Sequence, residues 1–319
     1  RGDIQMNPQF KDKVTRSQER IISSICPVCG SQDYQIAYRG PIRDGVFGRV
    51  TETDINILEC VGCGLSKLDK FILGAVEYSS GEYRQKFNDT FEDTKLLAMH
   101  DPEQADRLKL IGMHRLRGQT ILDYGCGHGS FLDAISGVAK HTYGIEPFKG
   151  MWDSLRRRGH QIFASGGDAL SDMRGKVGIV TCFGVIEHVV DPVALLADSF
   201  ALLAPGGILY LQTDNLRDIL MVTDARDFPP FFYRSAHNWY FLPENIERLA
   251  NSVGFDNVVV TTTHGFDFSN FLRWHLEGKP TGLGMTSFFG EVFESVWRTS
   301  VEAKGCGDLI TLVARKHGS

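Results

Sequence analysis

The chain has no apolar run approaching the ~20 residues that a membrane-spanning helix requires, so nothing in it points to a membrane. Its first ten residues, RGDIQMNPQF, are polar and carry no secretory-leader pattern. Arg1–Gln5 precede Met6, and the expectation is that they are a remnant of expression with Met6 as the native start. Excess charge is small: a net charge of −5 and a pI near 6.1 argue against tight binding to a nucleic-acid backbone. There is no low-complexity tract, and no internal repeat beyond two short cysteine motifs. A hydrophobic content of 42% with 23% charged residues is that of an ordinary globular chain, and 319 residues accommodate one small and one large domain.

The two cysteine motifs are CPVCG, with Cys26 and Cys29, and CVGCG, with Cys60 and Cys63. Four thiolates at CxxC…CxxC spacing suit a tetrahedral Zn²⁺, and the glycine after each pair lets the chain turn back toward the metal. Two redox dithiols or disulfides are the alternatives. A redox CxxC is expected beside a βαβ unit, however, and these pairs precede the part of the chain with that pattern. Four protein ligands leave no open coordination position, so a structural role is expected. Between the pairs, Gln35–Tyr38 and Ile55–Leu58 alternate in polarity, which predicts two or three short strands in a module that a metal must hold together. Cys126, Cys182 and Cys306 read as buried spare thiols. This cysteine usage predicts a reducing, cytoplasmic compartment.

The most informative stretch is ILDYGCGHG, Ile121–Gly129. An apolar entry, one acid and three alternating glycines predict a parallel strand turning into a helix over Ser130–Ile135. The spacing is GxGxG rather than the GxGxxG of a pyrophosphate site, and Asp123 suits a cationic ligand better than an anionic one. Next comes an apolar segment ending in Glu146, roughly 20 residues beyond the glycines. After it come GGDAL at Gly166–Leu170, an apolar run Val177–Cys182, the sequence EHVVDP at Glu187–Pro192, and LLAPGGILYLQT. Asp191 is expected to cap a helix with Pro192 at its first position. A helix over Pro243–Val253 stopped by Gly254 and strands at Val258–Thr263 and Asp308–Ala314 complete the alternation.

In this order of motifs the chain resembles the class I S-adenosylmethionine-dependent methyltransferases, and its cysteine module followed by this core resembles bacterial enzymes that modify sugars or other small molecules. The resemblance implies an α/β fold: a Rossmann-like seven-stranded sheet with helices on both faces, its last strand antiparallel, plus a small N-terminal zinc-binding β module. It implies S-adenosylmethionine as cofactor. Asp123, Gly125, Gly127 and Gly129 would hold its methionine part, Glu146 the ribose, and Asp168 and Ala169 the adenine. Gly178 stands where many relatives carry an acid, a small departure. Quinone-biosynthesis O-methyltransferases use an ExxEH cluster for a divalent metal; here Gly184 replaces the first acid and only Glu187 and His188 remain, which disfavours a catalytic metal.

The expected organisation is a tail over 1–20, a zinc-ribbon-like module over 21–72, a helical linker or lid over 73–117, and the methyltransferase domain over 118–319. The linker carries Tyr78, Tyr83, Phe87 and Phe91 and a helical stretch near Leu96–Leu110. Two aromatic-rich insertions, at 214–242 and 264–305, are the expected acceptor cap, since long connections at the carboxyl edge of such a sheet are usually functional. The candidate base is His188 or His237, with His275 third, and Tyr240 is expected to orient or stack on the acceptor. The leading reading is methyl transfer to a small molecule, with a hydroxyl of a sugar, including a nucleotide sugar, or of a secondary metabolite as first candidate and N- or C-methylation left open. The alternatives are an RNA methyltransferase whose zinc module reads the RNA, and a non-catalytic scaffold.

Overall fold

The computed structural model describes residues 17–45, 48–81, 93–281 and 288–318. Tyr83, Phe87 and Phe91 lie outside them. The chain opens with four antiparallel strands: β1 (Ser17–Ile22), β2 (Asp33–Gly40), β3 (Ile55–Cys60) and β4 (Ser66–Leu68). β2 and β3 lie between the two cysteine pairs, as the alternation there predicts. β1 begins at Ser17, inside the stretch read from sequence as a tail.

The larger sheet contains β5 (Thr120–Tyr124), β6 (His141–Ile145), β7 (Gln161–Phe163), β8 (Val177–Phe183) and β9 (Leu203–Asp214), all parallel to their neighbours in this set. β10 (Trp239–Tyr240) leaves this domain and pairs with β4, making it the fifth strand of the N-terminal sheet. β11 (Asp256–Thr263) and β12 (Leu309–Arg315) are antiparallel to each other, and β12 is antiparallel to β9. The large sheet therefore reads β11-β12-β9-β8-β5-β6-β7. Its strand order reverses between β5 and β8, where the carboxyl ends open a crevice for ligands.

Adjacent residues on the central strands feed opposite faces, as the pleat requires. Leu122, Val180 and Leu211 enter one apolar cluster with Leu195, Leu196 and Leu249 from helices Pro192–Leu202 and Pro243–Val253. Ile121, Ile179 and Tyr210 enter another with Phe131, Leu132 and Leu155 from helices Ser130–Ser136 and Trp152–Arg157. Burial on both faces is what near-continuous apolar strands dictate. Two expected boundary signals hold. Asp191 caps its helix by accepting from the Val193 and Ala194 amides at 3.0 Å, and Gly254 ends the next helix with φ of 106°.

The N-terminal sheet does not stand alone. Tyr34, Ile36, Leu58 and Leu65 share a cluster with Trp239 and Phe241, and Ile42, Ile57 and Leu68 share another with Phe228, Phe232 and Tyr240. The module expected to need a metal to hold it together therefore also packs apolar side chains against the 214–242 insertion. Among the described residues, no helix is long and apolar enough to cross a membrane. Replacing the helix cap, Asp191→Ala, is expected to cost about 1 kcal/mol, read as a lower denaturant midpoint; an unchanged midpoint contradicts the cap assignment.

Candidate active site

A cavity of about 690 Å³ opens at the carboxyl edge of the sheet, within the ~300–1,000 Å³ range of small-molecule sites. Its floor is the β5 turn. Gly125, Gly127 and Gly129 all have positive φ, and a side chain on Gly125 would run into Val185, so the turn needs glycine there. The Gly125 and Cys126 amides donate to the Ile145 carbonyl at 2.9 and 3.0 Å, tying the turn to β6.

Asp123 lines this floor, buried, and accepts from Thr181 Oγ1 at 2.6 Å. Burial pushes its carboxyl up to about 6, partly opposed by the Thr181 hydrogen bond and by the positive charge of Arg107. Glu146 lies just past β6, also buried, and accepts from the Gly127 and Phe148 amides at 3.1 and 2.9 Å. A carboxylate offers about four acceptor positions, a chemistry that suits a diol. Helix Asp93–Ile111 borders the same end through His100, Glu103, Gln104 and Arg107.

At the other end the cavity is bounded by Glu187, His188, Asp214, Arg234 and His237. The two imidazoles meet edge to face with centroids 4.7 Å apart. His188 Nδ1 lies 2.8 Å from the Ala236 carbonyl and 2.8 Å from Tyr78 Oη. A carbonyl only accepts, so we assign the proton to Nδ1 and the ring lone pair to Nε2. Burial lowers His188 to about 4 and takes His237 well below the ordinary range, so both rings are neutral at neutral pH. His237 Nδ1 is 3.5 Å from Asp214 Oδ2, and its Nε2 is 3.5 Å from an Arg234 guanidinium nitrogen. Glu187 accepts from Thr213 Oγ1 at 2.8 Å; burial, then the charge of Asp214, raises its carboxyl to about 8.

Backbone contacts place His237. The Glu187 carbonyl accepts from the Asn238 and Trp239 amides at 2.7 and 3.1 Å. Asn238 Nδ2 donates to the His188 carbonyl at 2.7 Å and Trp239 Nε1 to the Val189 carbonyl at 3.0 Å. The insertion is thereby fastened to the turn after β8.

Of the residues expected at the site, Asp123, Gly125, Gly127, Glu146, His188 and His237 line this one cavity. Four others do not, and each has a physical reason. Gly129 sits at the start of the next helix, where a side chain would strike Leu155. Asp168 and Ala169 belong to helix Gly166–Met173 rather than to a strand end: Asp168 is exposed and Ala169 is buried in the core. The cavity instead meets Ala164, Ser165 and Gly166, because the third strand stops at Phe163. Tyr240 is packed among Phe232 and Tyr233, and its hydroxyl spans the Arg234 amide at 2.8 Å and carbonyl at 3.0 Å, so it positions the Arg234 segment.

The described residues of the second insertion, 264–305, expected as part of the acceptor cap, lie away from this cavity. Its described aromatics pack on one another and on Phe228, as in Phe271 against Trp297 and Trp274 against Phe228, and none borders the cavity. His275 pairs with Thr223 Oγ1 at 3.0 Å, outside it. Sequence reasoning named Tyr78 only among the linker or lid aromatics and did not single out Arg43, Asp214 and Arg234; these four border the cavity from three separate segments. Only their proximity to RSAHNWYF or to the end of β9 could have flagged the last two.

The four module cysteines converge as well. Cys26 and Cys63 Sγ are 3.5 Å apart, Cys29 and Cys60 Sγ 3.4 Å, and all four sulfurs lie within 4.8 Å of one another. These separations exceed the ~2.05 Å of a disulfide and approach the roughly 3.8 Å edge of a tetrahedron with ~2.3 Å metal–sulfur bonds. The two loops are built alike. Gly30 and Gly64 have φ of 75° and 74° and donate to Cys26 and Cys60 carbonyls at 2.9 and 2.8 Å.

A family model described as a methyltransferase domain matches residues 97–260, just over half of the chain. The chain belongs to this family, the class I S-adenosylmethionine-dependent methyltransferases. It is 26% identical over 159 residues to a ubiquinone biosynthesis O-methyltransferase of Thiobacillus denitrificans, covering 46% of this chain and 68% of that protein. The one from Methylococcus capsulatus is 26% identical over 204 residues, covering 59% and 83%. A crystal structure of a SAM-dependent methyltransferase from Archaeoglobus fulgidus aligns with a TM-score of 0.48 at 16% identity, over 68% of this chain and 94% of that one.

S-adenosylmethionine bears an ammonium and a sulfonium, and the role expected of Asp123 beside them would make its raised carboxyl a pH limit on binding. Above about 6 Asp123 is ionised and would attract a cation placed against it; below it the carboxyl is neutral and that attraction would be lost. Cofactor affinity measured by calorimetry is expected to fall as pH drops through about 6, and this step is expected to vanish in Asp123→Asn. A flat profile in the unmodified protein contradicts the assignment.

Proposed function

We propose that this chain methylates a small molecule, with a hydroxyl of a sugar or secondary metabolite as acceptor, and that the His188–His237 pair handles the acceptor's proton. The observation that carries this reading is one cavity running from the glycine turn and Glu146 to two neutral imidazoles. Asp123, Gly125 and Gly127 are assigned to the methionine part of the cofactor and Glu146 to its ribose, while the turn at Ala164–Gly166 takes the adenine-side place first given to Asp168 and Ala169.

S-adenosylmethionine supplies an electrophilic methyl group on a positively charged sulfur, which becomes a neutral thioether on transfer. The chain's part is to align the acceptor with that carbon, exclude water and accept a proton. His188 Nε2 is assigned as the proton acceptor, since Nδ1 is engaged by the Ala236 carbonyl. His237, between Asp214 and Arg234, shapes the pocket beside it. Glu187, His188 and His237 also bring ligand atoms within 4.8 Å of one another, a set that suits a divalent ion. The Arg234 guanidinium against His237 Nε2 opposes a cation there, and Gly184, with φ of 68°, holds a backbone that an acid would strain to adopt. Proton transfer is therefore favoured over metal catalysis. RNA methylation gains no support from the net charge of −5.

His188→Ala is expected to lower kcat by about 10²-fold or more while cofactor affinity changes less than about threefold. Full turnover in this variant on an acceptor found by screening nucleotide sugars and small metabolites removes His188 from the chemistry.

We infer that Cys26, Cys29, Cys60 and Cys63 hold one structural Zn²⁺, with the approach of their sulfurs in support. Mass spectrometry of metal content is expected to find about one zinc per chain, lost in a Cys29→Ser/Cys60→Ser double variant. A stable, metal-free protein with full secondary structure contradicts it.

A further inference from the structure

The acceptor end of the cavity carries two arginines that arrive from different domains. Arg43 belongs to the N-terminal module and Arg234 to the first insertion, and their backbones are stitched together. The Arg43 amide donates to the Tyr233 carbonyl at 2.9 Å, the Ser235 amide donates to the Arg43 carbonyl at 2.9 Å, and the two residues form a parallel bridge. Ser235 Oγ adds a bond to Asp44 Oδ1 at 2.5 Å. Both residues border the cavity. The Arg43 guanidinium rests on the Phe231 ring at 4.8 Å, which restrains its orientation.

Arg234 directs one guanidinium nitrogen to Asp214 Oδ2 at 3.2 Å and another to His237 Nε2 at 3.5 Å. Its Nε is buried without a hydrogen bond. A guanidinium has five donors in a rigid fork, so donors remain after these two contacts. Among the described residues, the acids that border this end are Glu187, which accepts from Thr213 Oγ1, and Asp214, which pairs with Arg234. Those that border the opposite end are Glu103, Asp123 and Glu146, beside Arg107.

We propose that the acceptor carries an anionic oxygen group, a phosphate ester or a carboxylate, held by Arg43 and Arg234, so that the cysteine-bearing module contributes a specificity-determining residue to the methyltransferase site. Planar, multidentate donation to such a group is the chemistry in which arginine exceeds lysine. This rests on the reading of the cavity as a small-molecule methyl-transfer site, with the anion placed away from the glycine turn.

The test uses the full chain saturated with S-adenosylhomocysteine, so that the cofactor's own carboxylate is already accommodated. Calorimetric titrations with inorganic pyrophosphate and, separately, with benzoate then report on the acceptor end. At least one probe is expected to bind, and Arg43→Gln and Arg234→Gln are each expected to weaken it by about tenfold or more, with Arg43→Lys recovering only part of the loss. S-adenosylhomocysteine affinity is expected to stay within about threefold in all three variants. Binding of pyrophosphate alone assigns a phosphate ester, and binding of benzoate alone a carboxylate. If the unmodified chain binds S-adenosylhomocysteine but neither probe, or if both glutamine variants bind the probe as well as the unmodified chain does, the proposal is overturned. Failure of S-adenosylhomocysteine itself to bind refutes the underlying cofactor reading, a distinct result.

Discussion

The carbonyl of Glu187 is the point on which the acceptor side depends. It lies at the end of the turn after β8 and accepts two amides, those of Asn238 and Trp239. On one side of this junction Glu187 and His188 follow β8 of the methyltransferase sheet. On the other, β10 continues into the N-terminal sheet through its pairing with β4. A short backbone contact therefore aligns two neutral histidines and joins two sheets. Each buried amide–carbonyl bond is worth only about 1 kcal/mol net, but leaving such a group unpaired costs about 1–3 kcal/mol. The segment thus has few alternative positions.

Around this junction the protein separates two tasks. The glycine turn, Asp123 and Glu146 form an acidic end fixed by backbone hydrogen bonds and suited to a cation and a diol. The insertion, with Arg234 and His237, forms a basic end whose imidazoles are kept neutral by burial. The two ends share one cavity, which is the arrangement an in-line transfer demands. The N-terminal module buttresses the second end, since Tyr34, Ile36 and Leu58 pack in the cluster that contains Trp239 and Phe241.

Much of this was legible in the sequence wherever a residue type answered a local backbone demand. The strand–glycine–helix turn, the Asp191 cap, the Gly254 stop and the paired CxxC loops follow from φ angles and hydrogen-bonding valence, which spacing encodes. GGDAL, expected at a strand end, opens a helix instead, because Ser165, Gly and Asp serve a helix start as well; here Ser165 Oγ accepts from the Asp168 amide at 3.2 Å. Tyr240 looked like a site residue, yet its hydroxyl is consumed by the Arg234 backbone. The aromatics of 264–305 looked like an acceptor wall, yet they satisfy one another. Arg43 was invisible because its role depends on a bridge to residue 234, a separation no local pattern encodes.

The most direct test of this account is amide hydrogen exchange across 234–240, followed by mass spectrometry in the unmodified protein and in Asn238→Ala. The account predicts strong protection of the Asn238 and Trp239 amides in the unmodified protein. In Asn238→Ala it predicts about tenfold or greater loss of protection, confined to this segment and the turn after β8. Rapid exchange of these amides in the unmodified protein, or protection unaltered by the substitution, would contradict the claim that the Glu187 junction holds the acceptor end in place.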